Sequence, residues 1–357
     1  MIIFDIIGGG WRAEFYLRIA QACPEIFGIA GMVVRDAEKG AKIEKRWGVP
    51  TFRNTDDLLS STDPHFVVTS VPAKINPDVV KDLVGRGLPV LSETAPGPTL
   101  EAMIDLYQFV QEHRGIVQVA EQYHLQPMHY ARIALAQSGR LGAISQAQVS
   151  YAHGYHGLSL IRRLLGIGYE DATIRAMHAK GSIVKGPDRK GPPQAEEVVN
   201  SKPQTIAWLD FDGRLGVLDF TPDQYMSYVR GKRLLVRGER GEMNEERATV
   251  LRDYRTPLVL PIVRHAAGAD GNLEGNYLKA VQFGEEILYR NPYVPASLTD
   301  DELAIAACLS AMEETVRSGK DFYSLAEASQ DQYLNLLVEQ AARTGETIRT
   351  QRQIWAS

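Results

Sequence analysis

The sequence predicts an α/β protein in two parts: a doubly wound parallel sheet in residues 1–122, then an α+β domain in residues 123–357 with a large open, mostly antiparallel sheet. Three observations carry this. The chain opens as strand, glycine-rich turn and helix; strands and helices then alternate with short connections; farther on, alternating patterns and a hairpin signal replace them. At 357 residues the chain also exceeds what one ordinary core holds, in keeping with two domains.

Ile2, Ile3, Phe4, Ile6 and Ile7 form an apolar run with the β-branched bias of a buried strand. Gly8-Gly9-Gly10-Trp11-Arg12-Ala13 breaks it, and Phe15 or Tyr16, Ile19 or Ala20, and Cys23 then recur at helical spacing until Pro24. Gly8, Gly10 and Ala13 fit G-x-G-x-x-G/A, in which glycines tighten the turn and let a helix N-terminus approach a pyrophosphate. A dinucleotide-binding Rossmann domain is expected from this unit.

Phe27 to Val34 reads as the second strand and Asp36 to Trp47 as a helix. Thr51-Phe52 is a short strand before a small helix capped by Thr55, with Asp56 and Asp57 in its first turn. His65 to Val71 is a strand, and Asn76-Pro77-Asp78 supplies an N-cap, a first-turn proline and an acid to a helix that ends at Gly85 or Gly87. A strand at Pro89–Ser92, a helix at Thr99–His113 and a strand at Ile116–Ala120 complete the alternation, with the ligand crevice beyond the strand C-termini.

In the second part, Pro127 to Gly139 and Leu158 to Gly166 read as helices, whereas Ser145 to Ala152 and Thr205 to Phe220 alternate as antiparallel strands do. Asp212-Gly213 is a hairpin turn signal, and Leu234-Val236 and Thr249-Leu251 are further strands. Gly186 to Pro203, rich in proline, glycine and charge, reads as an exposed loop. Helices from Asp300 to Ser318 and from Leu325 to Ala342 finish the chain.

A formal net charge of -5 with interspersed signs leaves no basic footprint, so nucleic acid is not an expected partner. No apolar stretch is long enough to span a bilayer, and Met1 to Ile7 lacks the basic start and long apolar core of a signal peptide, so a cytoplasmic protein is expected. Cys23 and Cys308 lie in separate helical patterns and are expected to be buried free thiols rather than a disulfide.

Beside the glycine turn, further stretches stand out: Val90-Leu91-Ser92-Glu93-Thr94-Ala95 closing a strand, Tyr123-His124-Leu125-Gln126-Pro127 with Gly139-Arg140-Leu141-Gly142, and Gly154-Tyr155-His156 followed by Leu160-Ile161-Arg162-Arg163-Leu164-Leu165-Gly166. In this order, along nearly the whole chain, they resemble the glucose-fructose oxidoreductase, inositol dehydrogenase and MocA (Gfo/Idh/MocA) family. The resemblance implies a bound nicotinamide cofactor and the oxidation of a sugar or cyclitol hydroxyl, or reduction of the ketone. It implies that Gly8, Gly10, Trp11, Arg12, Ala13 and Arg35 hold the cofactor, together with Ser70, Pro72, Asn76, Glu93, Thr94 and Gln122 at the other strand ends.

The chain departs from the family at the reacting end. Thr94 stands where the family usually has the lysine of Glu-Lys-Pro, Ala152 and Ser159 stand where it tends to have aspartates around the histidine, and Asn76 replaces a histidine. Threonine donates and accepts hydrogen bonds but brings no positive charge to lower a substrate pKa.

Hydride transfer needs a group that takes the hydroxyl proton, and a histidine suits the task. His156 is the expected proton acceptor; His153, His124 and Tyr123, with Tyr155, line the cleft in the fold the resemblance implies and stand in for the missing lysine and aspartate. The histidines also raise a metal reading, but no cysteine or carboxylate accompanies them at ligand spacing, and no metal is expected. Val34 occupies the usual ribose-acid position and Arg35 follows it, which favours NADP(H) over NAD(H). Two alternatives stand beside the dehydrogenase: glycoside cleavage through a transient keto-sugar with cofactor recycling, and a cofactor- or sugar-sensing protein without catalysis. The open sheet of the second domain implies pairing into a homodimer or homotetramer.

Overall fold

The computed structural model describes residues 1–188, 191–192, 194–269, 271–272 and 275–356. The first part builds β1 (Ile2–Ile7), α1 (Ala13–Ala22), β2 (Phe27–Val33), α2 (Ala37–Trp47), β3 (Thr51–Phe52), α3 (Thr55–Ser61), β4 (Phe66–Thr69), α4 (Asn76–Gly85), β5 (Val90–Ser92), α5 (Leu100–Glu112) and β6 (Val117–Val119). The six strands pair in parallel in the order β3-β2-β1-β4-β5-β6. The order reverses at β1 and β4, the switch point where an open α/β sheet binds its ligand. Phe4, Ile6, Phe66, Val67 and Val68 are fully buried at its centre, as strands covered on both faces require.

Two caps differ from the sequence expectation. Asn54, not Thr55, caps α3, its side chain accepting from Asp57 N–H at 2.8 Å. Asn76 is the first residue of α4 rather than its cap, because its side chain is buried and committed to Thr69 and Ser92.

The chain continues through α6 (Pro127–Gln137), β7 (Ile144–Ser150), α7 (Gly154–Leu165), β8 (Thr173–Val184), β9 (Val199–Phe211), β10 (Arg214–Phe220), β11 (Arg233–Gly238), β12 (Gly241–Asn244), β13 (Arg247–Leu251), β14 (Pro257–Ala267), β15 (Tyr277–Phe283) and β16 (Glu286–Arg290). Then come α8 (Asp300–Ser318), α9 (Leu325–Thr344) and β17 (Ile348–Arg349). The second sheet runs β16-β15-β14-β13-β12-β11-β7-β10-β9-β8-β17 and is mostly antiparallel, with β7 and β10 parallel. Asp212 and Gly213, at φ +51° and +96°, make the two-residue turn between β9 and β10 that Asp-Gly favours. β9 takes in the last five residues of the stretch read as a loop, 199–203; the polar character there reflects a ladder end exposed on both faces. Arg189, Lys190 and Pro193 of that stretch lie outside the described residues. α7 begins four residues before the expected start. Gly154 and Gly157 allow close packing there: a Cβ at Gly154 would stand 2.0 Å from Asn335 Oδ1, and one at Gly157 2.5 Å from Leu218 Cδ1.

The chain forms two compact units. One holds Met1–Pro127, Arg264–Ala280 and Arg290–Ser329; the other holds Met128–Val263, Val281–Tyr289 and Gln330–Ser357. α8 therefore falls within the first unit, packed on α1, β1 and β4. Its start is a capping box: Thr299 Oγ1 accepts from Glu302 N–H at 3.3 Å, and the Glu302 carboxylate accepts from Thr299 N–H at 2.9 Å. Arg18 of α1 donates to that carboxylate at 2.5 Å. Burial opposes the Glu302 charge, but these donors outweigh it and hold its pKa below the usual carboxylate value. Cys23 and Cys308 are free and buried, and no helix among the described residues is long and apolar enough to cross a membrane.

Candidate functional site

In the first unit the site starts at the turn after β1. Gly8 has φ +115°, and a Cβ there would stand 2.2 Å from the Ser70 carbonyl oxygen, so only glycine fits where β1 and β4 end side by side. At Gly10 the same test finds only Ser70 O, at 3.9 Å, so the turn carries no side chain there and no other atom crowds it. Ser70 Oγ is buried with no hydrogen-bond partner among the described residues. A bare glycine turn and an unused buried hydroxyl at the strand ends suit a dinucleotide pyrophosphate, which accepts hydrogen bonds from both kinds of donor.

Arg12, at the N-cap of α1, is largely withdrawn from solvent. Its Nη1 donates to Asp301 Oδ2 at 3.2 Å, its Nε is 3.9 Å from Glu93 Oε1, and it packs over the rings of Trp11 and Phe15. Burial works against its charge, but Glu93 and Asp301 outweigh it and hold the guanidinium above its usual pKa. Gln122, its amide turned to donate to Ala120 O at 3.0 Å, accepts from Arg12 Nη2 at 3.1 Å. Arg12, Glu93 and Gln122 thus come together, and Ala13 is buried behind them at the start of α1.

A buried polar chain supports Glu93 from below. Thr69 Oγ1 donates to Asn76 Oδ1 at 2.7 Å and accepts from Glu93 N–H at 3.0 Å, while Asn76 Nδ2 donates to Ser92 Oγ at 2.9 Å. Asn76 serves as a pin between β4, β5 and α4, a job for which an amide has both a donor and an acceptor. Thr94 Oγ1 donates to Glu93 Oε1 at 3.2 Å. Tyr123 and His124 lie in a single 3₁₀ turn, Tyr123–Leu125; Tyr123 N–H donates to Glu121 Oε1 at 3.1 Å and the His124 ring sits 4.9 Å from that of Tyr323. Arg35 and Pro72 are exposed. Asp36 is used as the cap of α2, accepting from Lys39 N–H at 2.9 Å.

In the second unit, His153 stands at the N-cap position of α7, its side chain making no capping bond, and His156 lies in the first turn. Their rings are 5.0 Å apart, edge to face, and the Tyr155 ring is 5.1 Å from His156. His153 is exposed, whereas His156 is 7% exposed. The Tyr225 hydroxyl accepts from His153 N–H at 3.1 Å and pairs with His153 Nδ1 at 2.7 Å, which sets the direction of that ring. Ala152 and Ser159 are fully buried, so neither brings a charge to His156. His129 is buried against Tyr151; burial, then Arg132 and Lys232, press its pKa well below the usual histidine value. No group of three or more His, Cys, Asp or Glu among the described residues is placed to hold a metal ion.

Residues 2–121 match the sequence model of a family described as an oxidoreductase family with an NAD-binding Rossmann fold, GFO_IDH_MocA. This segment is similar to the Gfo/Idh/MocA oxidoreductase family. An uncharacterized oxidoreductase of Schizosaccharomyces pombe is 24% identical over 143 residues, 39% of this chain and 39% of that protein's length. Among solved structures, an oxidoreductase from Agrobacterium radiobacter in complex with NAD+, L-tartaric acid and magnesium superposes with a TM-score of 0.69 at 16% identity, covering 97% of this chain and 98% of the other. Levoglucosan dehydrogenase in complex with NADH and levoglucosan gives 0.69 and 16%, covering 98% and 99%. At such identities the likeness is one of fold.

Two partners escaped the sequence reading. Asp301 reaches Arg12 across 289 residues of sequence; the Thr299-x-x-Glu302 capping box marks a helix start but not what its acids face. Tyr225 comes from a 3₁₀ turn, Pro222–Tyr225, and no local pattern couples it to His153.

Proposed function

We propose that the protein is an NAD(P)-dependent oxidoreductase acting at a hydroxyl or ketone carbon of a sugar, glycoside or cyclitol. The observation that carries the reading is the glycine turn at Gly8 and Gly10, packed on the Ser70 main chain where β1 and β4 end side by side, in a segment that matches an NAD-binding oxidoreductase family. Structural likeness to a levoglucosan dehydrogenase supports a carbohydrate as substrate.

When bound, the nicotinamide ring accepts or supplies the hydride. The chain's own part is to hold the nucleotide and manage the proton. Gly8, Gly10 and Ser70 offer main-chain and hydroxyl donors, and Arg12 braces the turn from behind while engaged with Asp301 and Glu93. His156 takes the hydroxyl proton on oxidation and returns it on reduction, with His153 and Tyr225 as a neighbouring donor-acceptor pair. Thr94 and Tyr123 orient the substrate oxygen through neutral hydrogen bonds. NADP(H) is the favoured cofactor: Asp36 is occupied as a helix cap, Arg35 beside it is exposed, and Lys39 and Lys42 of α2 line a hollow with Gly9 and Gly10, so that a 2′-phosphate would find positive charge.

Purified protein mixed with NAD+ or NADP+ and a panel of sugars, glycosides and cyclitols is expected to turn over one class, followed by nicotinamide absorbance. His156→Ala should lower that turnover by about a hundredfold or more with cofactor binding intact. Arg35→Ala should weaken NADP+ by about tenfold or more and leave NAD+ nearly unchanged, read by titration calorimetry. Absence of both nucleotide binding and hydride exchange overturns the reading. Release of sugar from a glycoside with catalytic cofactor and no net reduction would instead assign transient oxidation, for which the absence of a lysine at Thr94 and the extra His153–Tyr225 pair leave room.

A further inference from the structure

The 3₁₀ turn Tyr123–Leu125, which carries Tyr123 and His124, is anchored at both of its ends, and both anchors lead to one ion pair. Before the turn, the Gln122 amide oxygen accepts from Arg12 Nη2 at 3.1 Å. After it, Gln126 Nε2 donates to Asp301 Oδ1 at 3.2 Å. Arg12 Nη1 in turn donates to Asp301 Oδ2 at 3.2 Å. The two oxygens of one carboxylate therefore hold the arginine of the glycine turn and the glutamine that closes the second turn. The main chain closes that turn as well: Leu125 N–H donates to Gln122 O at 3.0 Å, and Gln126 N–H donates to the same oxygen at 3.1 Å.

All of these residues belong to the first unit. The pair is fixed from each side. Asp301 lies in the first turn of α8, whose start is set by the Thr299–Glu302 capping box and where the helix dipole favours a carboxylate. Arg12 stands at the N-cap of α1, with its Nε turned toward Glu93. α8 packs on α1 and on the Tyr123–Leu125 turn alike, so one helix start spans the two turns. At 18% and 29% exposure the side chains are shielded enough for their charge-assisted hydrogen bonds to exceed those of an open surface pair.

We propose that the Arg12–Asp301 pair couples the nucleotide turn to the turn bearing Tyr123 and His124, with Asp301 as a positioning residue. A nucleotide seated on residues 8–13 stills the start of α1 and with it Arg12. Through Gln122 and Asp301 the same constraint reaches both ends of the second turn, which is then ordered for its own ligand at a smaller entropic cost. Such coupling is reciprocal, so a ligand held at the second turn tightens the nucleotide by the same factor. The proposal rests on the nicotinamide-nucleotide reading above and adds a regulation internal to that site.

Hydrogen exchange of the full chain, read at the Leu125 and Gln126 amides with and without saturating NADP+ or NAD+, tests it. In the wild type the bound nucleotide is expected to slow both amides at least tenfold. Asp301→Ala should still bind nucleotide, followed by titration calorimetry, while the slowing falls to within twofold. A residue that only stabilised the fold would change exchange equally with and without nucleotide. If Asp301→Ala fails to fold, Gln126→Leu severs the same link away from the helix start and should abolish the slowing too. Nucleotide bound by the wild type without slowing, or slowing unchanged in both variants, overturns the proposal. Slowing that depends on Asp301 in a protein that never exchanges hydride would keep the coupling and remove the oxidoreductase reading; hydride exchange without slowing would do the reverse. A wild type that binds neither nucleotide overturns both.

Discussion

Asp5 is a carboxyl group in the middle of the central strand, fully buried. It sits where β2 carries an extra residue: Phe4 pairs with Ile29 but Asp5 pairs with Gly31. Thr62 Oγ1 donates to it at 2.6 Å, as does the Gly31 N–H, yet burial wins and its pKa is pushed up to about 6. The unfolded chain ionises this group near pH 4, before the folded chain does, so the stability it contributes is full below that pH and is lost as pH rises to about 6. Compared with Asp5→Asn, the wild type should lose about 2–3 kcal/mol of stability between pH 4 and pH 7, read from urea midpoints at each pH. At this scale the sequence was partly legible. Gly8 and Gly10 identify themselves, since only a turn that needs φ > 0 or close approach explains them. The Arg12–Asp301 pair does not, because charge complementarity across most of the chain leaves no local trace.

Among the elements, α7 carries the two histidines and is held in place at its far end. Arg162 Nη1 donates to Asp331 Oδ1 of α9 at 2.6 Å, with side chains 2% and 0% exposed, and Arg162 Nε donates to Gly168 O at 3.0 Å. Removing one member strands the other charge, so Asp331→Ala should cost about 3–5 kcal/mol, whereas Arg162→Met with Asp331→Leu should recover much of it, measured by thermal melting. Helical period and caps made most helices and the β9–β10 hairpin readable from sequence. β14 was not: Pro257 and Pro261 lie within it, and prolines argue against a strand. α7 was read late because Gly154, Tyr155 and Gly157 are weak helix formers, placed there by close packing rather than by propensity.

At the scale of the whole molecule, the second sheet leaves one face with a run of large side chains. Trp208 is 43% exposed and Met177 48%, and the row Arg175–Trp208–Val217–Gln148–Leu235 crosses five strands in register. A face of this kind suits a second copy of the chain, and Trp208→Glu should convert the dimer or tetramer expected by sedimentation to monomer with the melting temperature of the separated subunit otherwise retained. A wild-type monomer at all concentrations would remove that assignment. The other long-range feature is the seat of α8 on α1, where Arg18 meets Glu302 and Arg12 meets Asp301. Two adjacent acids at the start of α8 thus hold two arginines of α1, Arg12 at its N-cap and Arg18 farther along. One helix start therefore works as a two-pronged clamp on the helix behind the glycine turn, and Asp301→Ala with Glu302→Ala should loosen that helix more than either change alone, read by hydrogen exchange of the α1 amides.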